Sequence, residues 1–64
     1  MKKKELKNLA QRIADAEFIL QTSNDNKELA KAKDTVLELS SKVTCMEDIL
    51  LLDELIQEIL EQKI

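Results

Sequence analysis

Few side chains in this sequence could take part in chemistry, and the thiol comes first. Cys45 is the single cysteine and follows Thr44 at the start of an apolar, helix-like run. A thiol at a helix N-terminus can become a nucleophile, because the position lowers its pKa. The helical count instead sets Cys45 on the apolar face of that run, where it is expected to be a small core residue. There is no histidine. No Ser-His or Cys-His pair can therefore form, and general acid–base work near neutral pH loses its usual carrier. One thiol without imidazole cannot build a zinc site, and one cysteine cannot close an intrachain disulfide. Carboxylates alone can hold some divalent cations, but Glu54, Glu58 and Glu61 lie on one outward stripe and are expected to be a solvated face. The Glu-x-x-His pair of a di-iron bundle is missing. There is no glycine for a phosphate-cradling loop. The expectation is a protein that is not an enzyme, with no catalytic residue, no cofactor and no metal.

The cations offer a different chemistry. Lys2, Lys3, Lys4, Lys7 and Arg12 could form a short basic patch for nucleic acid on the first helix. The net charge of -3 and the single aromatic residue, Phe18, count against it, since single strands are gripped by stacking on aromatic rings. Charge is unevenly spread. Residues 1–33 hold eight Lys/Arg and five Asp/Glu, whereas residues 34–64 hold two Lys and eight Asp/Glu. The acidic C-terminal half would repel nucleic acid, which is kept as the alternative partner. Anionic membrane surfaces attract basic, not acidic, polar faces. The longest strictly apolar run, Ile49 to Leu52, is far short of a membrane span. The MKKK opening has no apolar stretch and cleavage site behind it, so no secretory leader is expected. A lone reduced thiol agrees with a cytoplasmic address.

The elements that must position these residues are helices. With neither glycine nor proline in 64 residues, hairpin turns have no supply of their favoured residues. The stretch Thr44–Ile64 is the densest in apolar residues, and the rest of the chain is expected to be organised around it. At about 100° per residue, Cys45, Ile49, Leu52, Leu55, Ile56, Ile59 and Leu60 share one face, with Met46 and Ile64 at its edge. Thr44 and Glu47 fit a capping box. Residues 3–22 give a first seam of Leu6, Leu9, Ile13, Ala16 and Leu20, with Ala10 beside it. The segment Ser23–Asn26 breaks it, with Asp25 as the next N-cap and Glu28 three residues on. A second helix runs to about Lys42 on a seam of Leu29, Ala32, Val36, Leu39 and Val43. Leu37 and Ala30 make a weaker second ridge, which would suit a helix between two neighbours.

One small helical domain over 1–64 is expected, an all-α, three-helix up-down-up bundle with helices at about 3–22, 26–42 and 45–63. The alternative is a two-helix hairpin whose long second helix dimerises into a four-helix bundle. A domain this small often gains support from a second chain, which points to a protein partner, another copy, or both. Four residues leave the intramolecular seams. Phe18 and Ile19 point toward the polar face of the first helix, and Leu50 and Leu51 flank the Glu stripe of the third. They are the candidate partner interface; the competing reading packs Phe18 and Ile19 against another element through a broadened face of the first helix, and buries the third helix nearly all round, Leu50 and Leu51 included. The sequence therefore reads as a small protein–protein interaction module, an adaptor, inhibitor or assembly factor.

Overall fold

Leu6, Ala10, Ile13 and Ala14 are the most completely buried of the described residues, and all four belong to the first helix. The computed structural model describes residues 2–62 in full and residue 63 by its backbone. It consists of α1 (Lys3–Thr22), α2 (Asn26–Ser40) and α3 (Met46–Lys63), with no strand among the described residues. This is the expected all-α, three-helix up-down-up bundle. The longest dimension is 34 Å, little more than the roughly 30 Å that α1 alone spans at 1.5 Å per residue. The other two helices therefore lie alongside α1. The chain leaves the helical conformation over residues 41–45, so α2 and α3 are separate and the long-armed hairpin is not the fold.

The helix at the centre is α1, not α3 or α2. It packs against both neighbours, whereas no Cα of α2 lies within 8 Å of a Cα of α3 among the described residues. Small residues explain the choice. Ala10, Ala14 and Ala16 are buried, and an alanine lets a neighbouring backbone come close without a cavity or a clash. Around them Leu6 and Ile13 share one cluster with Leu39 and Val43 from the α2 side and Leu52, Ile56 and Leu60 from α3. Each large aliphatic buried this way contributes about 1.5–3 kcal/mol. The second ridge of α2 finds no neighbour: Leu37 is 61% exposed and Ala30 is exposed.

Polar turns replace glycine at the helix ends. The Thr22 hydroxyl donates to the Phe18 carbonyl at 2.8 Å and the Ser23 N–H to Ile19 at 2.8 Å. Asp25 is the N-cap of α2, accepting from the Lys27 N–H at 2.9 Å. The Asp25 N–H donates to the Ser23 hydroxyl at 3.2 Å, and that hydroxyl donates to Glu28 at 2.8 Å. The expected capping box thus closes through an intervening serine. At the far end of α2, Ser40 and Ser41 hydroxyls donate to the carbonyls of Leu37 (3.2 Å) and Glu38 (2.7 Å), which satisfies acceptors a helix terminus would leave bare. Val43 then anchors the connector in the core.

The first intrahelical bond of α3 runs from the Ile49 N–H to the Cys45 carbonyl at 2.9 Å. Cys45 is therefore the cap residue, and Thr44 stands one position too early for a box with Glu47. Cys45 is also exposed, against the expected burial, because it precedes the helix whose face was extended back to it. Ile64 lies outside the described residues.

Replacing Ile13 with alanine should lower the unfolding free energy by about 2–5 kcal/mol, a large share of the stability of so small a domain. Asp25→Ala should cost about 1 kcal/mol through the lost cap. Urea unfolding followed by circular dichroism checks both values.

Candidate functional site

The first turn of α3 carries the largest group of uncovered apolar side chains on one element. Met46 is 72% exposed, Ile49 44% and Leu50 61%. Their spacing of three and four makes them neighbours on the helix surface. Ile49 lies on the same face as Leu52 and Ile56, which are buried. The core face of α3 is therefore covered only from Leu52 onward, and its first turn has no neighbour over it. Single exposed leucines are ordinary; three large apolar residues grouped on one helix surface make a candidate contact surface. Glu47, Asp53 and Glu54 are exposed around them.

The four residues expected to form the interface divide. Leu50 is in the open, as expected. Ile19 is 38% exposed at the far end of α1, beside the similarly exposed Leu20. Phe18 and Leu51 are half-buried and packed against the core cluster. Both depart from the single seam of their helix. A helix that serves two neighbours buries a broader arc than one seam, and that arc reaches Phe18 in α1. In α3 the flank holding Leu51 packs toward the same cluster. The structure thus joins Leu50 with Met46 and Ile49 and not with Phe18 or Leu51.

The basic residues are also dispersed. Lys2, Lys3 and Lys4 are exposed at the start of the chain. Lys7 lines a shallow groove between α1 and α3 with Gln11 and Glu58. Arg12 lines the opposite groove, between α1 and α2. That groove has a volume of about 630 Å³ and a floor including Ala16, Ala32 and Leu39. Its rim sets Arg12, Lys31 and Lys42 against Asp15, Glu28 and Glu38, so it has no net sign with which to select a charged ligand.

No protein-family model, curated protein or solved structure matches the chain. The surface itself is therefore the only guide to what it touches. Among the described residues no polar or charged side chain is buried. No three histidine, cysteine, aspartate or glutamate residues among them are grouped to hold a metal ion. None of their helices is long and apolar enough to cross a membrane.

Met46 and Ile49 were missed as site residues. Periodicity had placed Met46 at the edge of the buried face and Ile49 within it. The count gives the direction of a side chain, not how far a neighbouring helix reaches to cover it.

Leu50→Ser should change stability by no more than about 0.5 kcal/mol, as surface substitutions do. Leu51→Ser should cost about 1–2 kcal/mol, since part of a packed side chain is lost. Equal shifts of the urea midpoint would contradict this division between surface and core.

Proposed function

We propose that this protein is a small, non-enzymatic protein–protein interaction module, an adaptor, inhibitor or assembly factor, that engages its partner through the start of α3. The observation that carries this reading is the contiguous exposure of Met46, Ile49 and Leu50. An apolar ridge at helical spacing suits packing against another protein's helix or groove. Water contact with these three side chains is unfavourable, and covering them supplies affinity without any reacting group. The sequence adds that histidine is missing and that the one thiol has no imidazole to activate it. The single cysteine also fits a cytoplasmic setting. Nucleic acid is the less favoured partner, because Lys7 and Arg12 line different grooves, Lys7 with Glu58 and Arg12 with Asp15, Glu28 and Glu38.

Site-specific photocrosslinking in the native cell tests this. A photoreactive residue replacing Leu50 or Met46 should capture one protein of defined mass, and the same residue replacing Asn8, exposed on α1, should not. Leu50→Ser should reduce capture from position 46 by about tenfold, the scale expected when one apolar anchor of about 1.4 kcal/mol is lost. Identical products from positions 8, 46 and 50 would overturn the assignment of the interface to α3.

A further inference from the structure

We infer that the partner segment received by the start of α3 is a cationic amphipathic helix of another protein. This deepens the interaction reading and rests on it. The ridge formed by Met46, Ile49 and Leu50 is one turn long, and its continuation is polar. On the helical count Glu47 and Glu54 lie within about 60° of Leu50 on one side and Asp53 within about 60° on the other. All three carboxylates are exposed. Asp53 falls within the arc between Ile49 and Leu50, one turn further along, so negative charge bounds the ridge on its Glu47/Glu54 flank and at its C-terminal end, while the Ile49 flank runs into the buried face of Leu52 and Ile56. Over its whole length α3 has six Asp/Glu and a single cation, Lys63, at its last position.

A helix fits this surface better than an extended strand. An i, i+3, i+4 ridge packs into the groove between side-chain rows of a second helix, with axes about 8–10 Å apart. No free sheet edge exists among the described residues to recruit a strand. The matching helix needs two or three apolar residues on one stripe, with Lys or Arg along one border to meet Glu47 and Glu54 and at the end that meets Asp53. Rim charges of opposite sign would speed encounter and select against acidic competitors.

The same charges disfavour a second copy of this chain. An antiparallel pairing of two α3 helices centred on Leu50 brings Glu47 opposite Asp53 of the other copy and Met46 opposite Glu54. A parallel pairing stacks each carboxylate against its own equivalent. Either arrangement sets like charges together at the border of the contact, a repulsive element that works against self-assembly.

The test uses the full chain and two synthetic amphipathic helical peptides of equal length, one built from Leu and Lys and the other from Leu and Glu. Fluorescence anisotropy of the labelled peptides should show binding of the Leu/Lys helix only. Leu50→Ser should weaken it about tenfold or more. The Glu47→Gln/Glu54→Gln pair should weaken it several-fold and flatten its dependence on salt between about 0.05 M and about 0.5 M. Sedimentation equilibrium of the chain alone should give a monomer. Equal binding of both peptides, lost in Leu50→Ser, would overturn the cationic class and leave the apolar interface standing. Leu/Lys binding unaffected by Leu50→Ser would overturn both. A dimer dissolved by Leu50→Ser would assign the surface to a second copy, and failure of the Leu/Lys peptide to bind would also refute the inference.

Discussion

Every close approach between helix backbones among the described residues involves α1, and the alanines of α1 make that possible. Ala10 and Ala14 are wholly buried, as are Leu6 and Ile13 beside them on α1. A helix with large residues all round could hold only one neighbour closely. Alternating small and large apolar residues let α1 accept α2 on one side and α3 on the other. The outer helices then meet only through side chains such as Leu39, Val43 and Ile56 in the shared cluster, because their backbones stay apart. A chain of this size hides only about 60% of the surface its unfolded form exposes. Its one shared core must therefore do what several cores do in a larger protein.

That arrangement also decides what is left bare. Neighbours that lean on a central helix cover it, but with their backbones apart they cover little of each other. Leu37 of α2 and the first turn of α3 stay in water, as do Ile19 and Leu20 at the end of α1. The exposed apolar surface is thus a consequence of the packing scheme, and its grouping at Met46, Ile49 and Leu50 is what gives it a use. Charge segregation adds a sign to the shape. The chain's cations are concentrated before residue 34 and its carboxylates after it, so the apolar turn of α3 sits in the acidic half.

Much of the architecture was legible in the sequence. Three helices, their approximate limits and the Asp25 cap follow from aliphatic periodicity and from a Ser-Asn-Asp-Asn break with no competing turn residues. The end of α2 was harder to place, because Ser40 and Ser41 bond backward to helix carbonyls and conduct the turn without glycine. The central role of α1 was not legible. Hydrophobic density favours α3, but density measures what a helix could bury. The capacity to hold two partners depends on small residues, which a hydrophobic count undervalues. For the same reason Phe18 and Leu51 looked like outliers from a single seam, although a helix packed on two sides or along a broad flank holds them. Ile49 failed in the other direction, since its angle is inward but no neighbour reaches its level. Of the four residues singled out from the pattern, Ile19 and Leu50 are exposed, and Leu50 alone adjoins Met46 and Ile49.

Native-state hydrogen exchange addresses the central role of α1 most directly. Amides of α1 should be protected to the full unfolding free energy, because α1 is freed only when both neighbours have left it. Amides of α2 and α3 should exchange faster, through openings in which one outer helix detaches while the other stays docked. Equal protection in all three helices, or slower exchange in α2 or α3 than in α1, would contradict the account.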